Sequence, residues 1–238
     1  MRMLHVFGDS HVSPLHRGKQ TLNEAMARAG IDADFYVRQA PNWRNVRINQ
    51  VGKGLRLRAV CTWEQPLNYT INQPDDIYVF SGPLHTAGLW RELAWREFCP
   101  WRVSEKFPAH HPVSDAVIEH MAEQHAGKTL EILKEVKDRG YMILVAEPPK
   151  PLKKGPAVDA IEPGVVVAVD QVYRRYIGGR LNAMGIPIIP IPDFTHEDGL
   201  TPDLYSDERP DDTHHGSTIF GTVMMKQIVQ LTMGITLN

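Results

Sequence analysis

The sequence predicts an α/β protein, a three-layer α/β/α sandwich around a mainly parallel, flavodoxin-like sheet. Apolar runs at 4–7, 76–82 and 141–146 have the nearly continuous hydrophobicity of strands that are buried on both faces. These runs alternate with helical patterns of ten residues or more, and that alternation indicates parallel pairing through right-handed crossovers. With 238 residues and 42% apolar content, the chain is long enough for one sizeable core.

The first half of the chain predicts two strands and a helix before an irregular stretch. Strand 4–7 ends at Gly8, and apolar residues at helical spacing predict a helix over 19–29 that Gly30 closes. A second strand is expected over 35–37. The region from Pro41 to about Thr70 is irregular, with a hairpin around the glycines at 52 and 54.

The second half has the clearer patterns. Val117, Met121 and Leu130 lie on roughly one face of a long predicted helix, and the elements expected here are strand 76–82, helix 113–138, strand 141–146, helix 165–183, strand 186–191 and helix 216–232. Prolines between Glu147 and Gly164 indicate a surface loop. We therefore expect residues 1–238 to form a single domain with irregular insertions near 41–70 and 150–164.

Composition argues against several classes of function. Lys and Arg total 26 against 28 for Asp and Glu, and the net charge of −2 includes no charged block suited to nucleic acid or an anionic membrane. Two cysteines cannot form a disulfide framework, and no run approaches the roughly 18 apolar residues of a membrane span. The N-terminus lacks the core of a signal peptide, so a cytoplasmic protein is expected.

Polar loops follow three of the predicted strands. They begin at Gly8, Gly82 and Glu147. Because parallel sheets bind ligands beyond the carboxyl ends of their strands, these three loops should converge on one crevice.

The two ends of the chain contain the parts of a nucleophilic triad. Serine needs an adjacent imidazole to accept its proton, and a carboxylate to hold that imidazole in one tautomer. Ser10 lies in the first loop, and Asp211-Asp212-Thr213-His214-His215 precedes the last helix. Asp212 with His215 and Asp211 with His214 have the same spacing, so these residues alone do not separate the two pairs.

The motifs Phe7-Gly8-Asp9-Ser10, Gly82 after the central strand and a late Asp-x-x-His resemble the GDSL, or SGNH, hydrolase family over nearly the whole chain. The resemblance implies a serine esterase with Ser10 as nucleophile and Asp212 and His215 completing the triad. The pair Phe220-Gly221 fits the family better when counted from His215. The implied substrate is a small-molecule or glycan ester, such as an acetylated carbohydrate or metabolite. No cofactor and no metal ligand are implied, and the oligomeric state is left open.

The chain departs from that family in its oxyanion hole. The family uses a Gly-x-Asn-Asp block, whereas this chain has Gly82-Pro83-Leu84-His85. His85 is the candidate replacement for the missing asparagine. Asn42 is the candidate at the second block, which also lacks the family's glycine, beside the backbone of Ser10 and Gly82. Asp9 and His11 flank the nucleophile as candidate substrate-binding residues.

Two alternative functions remain at this point. Asp9-Ser10-His11 also matches an Asp-x-His metal motif, and His85, His214 and His215 could add imidazoles, as in a metal-dependent phosphoesterase. The missing asparagine is also compatible with a catalytically weak member of the fold that binds a ligand.

Overall fold

A computed structural model describes residues 3–37, 46–59, 67–154, 160–209, 212 and 214–237. Its strands are β1 (Met3–Gly8), β2 (Asp32–Val37), β3 (Arg47–Val51), β4 (Gly54–Ala59), β5 (Leu67–Ile71), β6 (Ile77–Ser81), β7 (Phe98–Pro100), β8 (His111–Val113), β9 (Met142–Ala146) and β10 (Ile188–Ile189). Its α-helices are α1 (Val12–Thr21), α2 (Asn23–Arg28), α3 (Ala87–Trp90), α4 (Asp115–Asp138), α5 (Pro163–Ala183) and α6 (Thr218–Met233).

The central sheet has five parallel strands in the order β10-β9-β6-β1-β2. Numbered along the chain, this is the 2-1-3-4-5 order of a flavodoxin-like sheet, as predicted. Gly8 at the end of β1 pairs in register with Ser81 at the end of β6. The loops that follow these two strands therefore leave the sheet side by side.

Helices cover both faces of the sheet, which confirms the α/β/α prediction. Leu4 and Val6 of β1 pack in one core with side chains of α1, α2 and α6. Phe7, Tyr78 and Phe80 point to the opposite face and pack in a second core with α4 and α5. The alternation follows from the two-residue period of a strand, because successive side chains point to opposite faces.

The first helix begins earlier than the predicted residue 19. α1 starts at Val12, and after a break at Leu22 the chain continues as α2, while Gly30 follows with a φ of +67°. Pro14 lies in the first turn of α1, where its missing N–H has no intrahelical partner to lose. The helical pattern therefore extends toward the N-terminus through a proline, and Ser10 lies directly before the helix.

The two other differences concern strands. Only Ile188 and Ile189 of the predicted strand 186–191 pair with β9, because Pro187 and Pro190 cannot donate to a ladder. In the stretch expected to be irregular, β3, β4 and β5 form an antiparallel sheet. Its first turn is the predicted hairpin, with Gly52 at a φ of +59°.

α1 and α6 approach closely because each has a glycine at their contact. A Cβ added to Gly18 would lie 2.2 Å from the backbone carbon of Gly221, and one added to Gly221 would lie 1.8 Å from the carbonyl oxygen of Pro14. This contact holds the N-terminal part of α1 against the start of α6. In the described part of the chain, no helix has the length and apolar character that crossing a membrane requires.

Candidate active site

Ser10 lies in a tight turn between β1 and α1. Gly8 is required at the end of β1, because a Cβ there would lie 2.1 Å from the carbonyl oxygen of Ser81. The Asp9 carboxylate accepts the backbone N–H of His11 at 2.9 Å, and Ser10 accepts the N–H of Ser13 at 3.1 Å. These bonds close the turn and leave Ser10 partly exposed at its tip.

The loop after β6 lies against this turn. Gly82 has a φ of +138°, a conformation that side chains disfavour, and a Cβ there would lie 3.2 Å from Asp9 Oδ2. His85 closes the next turn by donating its N–H to the Gly82 carbonyl at 2.8 Å. Its ring Nδ1 lies 3.2 Å from Asp9 Oδ2, so the two loops are joined through a carboxylate–histidine pair.

The segment before α6 contributes a second carboxylate–histidine pair. His215 Nδ1 lies 2.7 Å from Asp212 Oδ2, and Asp212 Oδ1 also accepts the backbone N–H groups of His214 and His215 at 3.1 and 2.9 Å. His214 Nδ1 lies 3.8 Å from Asp212, which is too far for a hydrogen bond. Asp211 lies outside the described residues. The geometry therefore favours Asp212 with His215 over a pair that includes His214.

Arg17, a residue that the sequence motifs do not indicate, ties α1 to this segment. Its guanidinium donates to Asp207 Oδ2 at 2.8 Å and to the Gly216 carbonyl at 3.0 Å. The segment is also held internally, because Asp207 donates its backbone N–H to the His215 carbonyl at 2.9 Å. The helix that follows Ser10 thus helps to position His215.

Four imidazoles meet where these segments converge, and we call them the histidine cluster: His11, His85, His214 and His215. The ring centroids of His11 and His85 are 3.8 Å apart, and those of His214 and His215 are also 3.8 Å apart. His11 connects the two pairs, at 5.4 Å from His214 and 5.0 Å from His215. All four histidines are candidate site residues from the sequence alone, but their mutual contact depends on the fold.

Three rings of the cluster, those of His11, His85 and His214, favour the neutral form. Burial, reinforced by the neighbouring His85, holds the pKa of His11 well below its ordinary value of 6.5. Burial and the nearby His214 lower the pKa of His85 in the same way. For His214, burial, His215 and the Arg91 guanidinium together lower the pKa to about 4.

Two opposing effects act on the pKa of Asp212, and here the hydrogen bonds outweigh burial. Burial by itself raises the pKa of this carboxyl group, but hydrogen bonds from the His215 ring and from the backbone of His214 and His215 outweigh it. The pKa of Asp212 therefore lies well below its usual range, and the group is ionised at neutral pH. An ionised carboxylate can only accept, so His215 donates from Nδ1 and has its lone pair on Nε2.

Several ring nitrogens of the cluster are buried and have no hydrogen-bond partner in the part of the chain that the structure describes. They are both ring nitrogens of His11, Nε2 of His85, Nδ1 of His214 and Nε2 of His215. Leaving a buried polar group unpaired costs about 1–3 kcal/mol, so a concentration of such groups in one place marks a site that receives something from outside the fold.

The predicted nucleophile and the predicted base are not hydrogen-bonded to each other in this structure. Ser10 makes no hydrogen bond to His215, whose Nε2 has no partner among the described residues. Both neighbours of Ser10 nevertheless contact the cluster, Asp9 through His85 and His11 through its own ring. Such contacts often tighten only when substrate binds, so the open geometry is compatible with a triad.

Two sequence predictions have other outcomes. Asn42 falls outside the described residues. Glu147, expected to line the crevice, accepts the backbone N–H of Ile191 at 3.1 Å, and the next two carbonyls accept from the buried Arg174. Arg174 also bonds Asp170, so the described part of this third loop is anchored to α5.

A cavity of about 590 Å³ lies away from these loops, between the β3–β4 hairpin and α4. Charged side chains such as Arg47, Glu131 and Arg139 contribute to its lining, and no residue of the histidine cluster does. We therefore place the candidate site at the convergence of the loops, where the buried histidines meet Asp9 and Asp212, and not in this cavity.

No protein-family model and no curated protein matches this chain. Solved structures match it over nearly its full length at low identity. A carbohydrate acetylesterase family member from Sinorhizobium meliloti is 11% identical, with 99% of this chain and 100% of that chain covered and a TM-score of 0.49. A GDSL-like lipase from Bacteroides thetaiotaomicron is 12% identical, with coverages of 97% and 86% and a TM-score of 0.47. An acetyl xylan esterase is 8% identical, with coverages of 97% and 100% and a TM-score of 0.48. The fold assignment itself rests on the strand order and layers described above, which agree with the SGNH-type fold implied by the sequence motifs.

Proposed function

We propose that this protein is a serine esterase of the SGNH-hydrolase type, with Ser10 as nucleophile, His215 as general base and Asp212 as its orienting carboxylate. One observation carries the proposal. His215 Nδ1 lies 2.7 Å from Asp212 Oδ2, and its Nε2 is buried without a partner among the described residues, in ring contact with His11, the neighbour of Ser10. This is the tautomer that a base needs in order to accept a serine proton.

The proposed reaction has two steps. Ser10 Oγ attacks the ester carbonyl carbon while its proton moves to His215 Nε2, and the tetrahedral intermediate expels the alcohol, which takes that proton. Water then attacks the acyl-Ser10 ester with His215 again as base, releasing the carboxylic acid and restoring the serine. Asp212 stabilises the imidazolium formed in each step. No cofactor takes part.

The proposed oxyanion donors are the backbone N–H groups of Ser10 and Gly82, which lie on the two adjoining loops. His85, expected to replace the missing asparagine, is poorly suited to that role. The Asp9 carboxylate accepts from His85 Nδ1, which leaves a lone pair and no proton on Nε2. Since burial also keeps His85 neutral, its Nε2 accepts instead of donating.

The proposed substrate class is a small acyl ester, with an acetyl group on a carbohydrate or similar metabolite as the first to test. The near-zero net charge of the chain supports a neutral substrate over a polyanion. Nucleic acid and membrane partners have no support in the sequence.

A fluorophosphonate probe tests the nucleophile before any substrate is known. We expect the probe to label Ser10 in the wild-type protein, and Ser10→Ala to abolish both labelling and hydrolysis of a short aryl ester. Ser13→Ala is the matched control, because Ser13 lies one turn further along and its hydroxyl accepts a hydrogen bond from Arg17. Labelling that persists in Ser10→Ala, or a wild-type protein that is never labelled, contradicts the proposal.

Chelation separates this proposal from the metal-dependent phosphoesterase. The esterase should keep its activity after exhaustive treatment with a chelator and lose it in Ser10→Ala. Loss of activity with chelator and survival of Ser10→Ala would favour the phosphoesterase instead.

A further inference from the structure

We propose that His11, His85 and His214 form a binding site for one divalent transition-metal ion of the Zn²⁺ class. Each imidazole offers one nitrogen, and the three nitrogens lie within 4.8 Å of one another. Tetrahedral Zn²⁺ with Zn–N distances of 2.0–2.1 Å requires nitrogens about 3.3 Å apart, so ring movements of about 1 Å complete the site. This inference goes beyond the esterase and does not depend on it.

The ligand atoms are available. Among the described residues, His11 has no hydrogen-bond partner at either ring nitrogen, and His85 Nε2 and His214 Nδ1 are likewise buried without one. Only 3% of the His11 surface is exposed, so water does not readily satisfy this ring. The alternative group of Asp212, His214 and His215 is less suitable, because Asp212 and His215 already bind each other at 2.7 Å.

Asp9 supplies the outer support that metal-binding histidines usually have. Its Oδ2 lies 3.2 Å from His85 Nδ1, which fixes the tautomer with the lone pair on Nε2. Its Oδ1 accepts the backbone N–H of His11 at 2.9 Å and so positions the second ligand. One carboxylate thus orients two of the three rings.

The charges around the cluster balance each other. Asp9 and Asp212 each bring a carboxylate, whereas Arg209 pairs with Asp212 and Arg91 brings a second positive charge near His214. The selectivity for the ion therefore comes from the ligand atoms. Three neutral imidazoles select Zn²⁺, Co²⁺ or Ni²⁺ over Mg²⁺ and Ca²⁺, which prefer oxygen ligands. The fourth coordination position remains open to water or a small ligand.

The first test measures equilibrium binding of Zn²⁺ to the full chain after chelator treatment. Binding is measured by calorimetry and by metal analysis after dialysis. We expect one Zn²⁺ per chain, unaffected by excess Mg²⁺. His11→Gln, His85→Gln and His214→Gln should each weaken binding at least tenfold, and Asp9→Asn should weaken it about 10- to 100-fold. The matched control is His16→Gln, an exposed histidine on α1 that should leave the affinity unchanged.

The second test uses only the wild-type protein, so it holds even if a variant fails to fold. X-ray absorption of the Zn²⁺-loaded chain should show three imidazole nitrogens at about 2.0–2.1 Å. Absence of saturable Zn²⁺ binding, fewer than three imidazoles, or wild-type affinity in the His11 and His85 variants would overturn the proposal. Ser10→Ala should bind Zn²⁺ with wild-type affinity. The metal-site proposal and the esterase proposal can therefore fail independently of each other.

Discussion

At the residue scale, tautomers assign the roles of the histidines. His85 and His215 each place Nδ1 against a carboxylate and have a buried Nε2 without a partner among the described residues. The carboxylate of His215 comes from its own segment, whereas that of His85 comes from the loop after β1. The same hydrogen-bonding pattern is the basis for proposing one ring as a proton acceptor and the other as a metal ligand.

Asp212 provides the residue-scale prediction. Asp212→Asn keeps the size of the side chain but removes its charge, and the amide can donate to His215 and favour the wrong tautomer. We expect kcat for a short aryl ester to fall about 10²–10⁴-fold with little change in KM. Asp203→Asn, an exposed substitution nine residues upstream, is the control and should keep full activity. A variant at position 212 with nearly wild-type kcat would remove Asp212 from the triad.

At the scale of elements, the contact between α1 and α6 sets the distance between the two halves of the site. His11 precedes α1 and His215 lies just before α6, so the separation of these helices controls the separation of the two rings. Gly18 and Gly221 permit the close approach, and Arg17 fastens the same helix to Gly216. The site therefore depends on helix packing as well as on its loops.

Gly221→Ala tests that dependence. Its Cβ would lie 1.8 Å from the Pro14 carbonyl oxygen, so the helices must separate. We expect a loss of at least about 1–3 kcal/mol in the free energy of unfolding, measured in urea, together with reduced esterase activity. Gly179→Ala is the control: it is an exposed helical position with open space around it, and it should be stabilised by up to about 1 kcal/mol. Equal stability in the two variants would contradict this account of the packing.

At the scale of the whole molecule, the buried histidines link stability to pH. In the unfolded chain histidine takes up a proton near pH 6.5, whereas burial keeps His11 and His85 neutral in the folded protein well below that pH. Below about pH 6.5 the unfolded state therefore binds more protons, and the free energy of unfolding falls as the pH falls.

This linkage predicts how steeply the free energy of unfolding depends on pH. With chelator present, the free energy of unfolding should fall between about pH 6.5 and pH 5 by up to about 1.4 kcal/mol per pH unit for each histidine that stays neutral. Urea denaturation at several pH values measures it. His11→Gln should flatten the slope, and His16→Gln, at an exposed position, should not. A wild-type stability that does not change over this range would mean that the cluster is protonated in the folded state.

The sequence by itself determined the fold class and most of the strands and helices. It also provided Ser10, Asp212 and His215 as candidates for a triad. These features depend on local patterns: apolar runs, helical spacing and an Asp-x-x-His turn whose members are three residues apart. The early start of α1 was missed because Pro14 looks like a helix breaker, although proline is tolerated in a first turn.

The tertiary structure decided the rest. Asp9 and His85 are 76 residues apart, and Arg17 and Gly216 are 199 residues apart, so no local pattern could pair them. Which nitrogen of His85 is free depends on such a long-range hydrogen bond, and the meeting of His11, His85 and His214 depends on the fold. The sequence therefore determines which residue types are available for this site. Which of them contact one another depends on the parallel strands and the two closely packed helices.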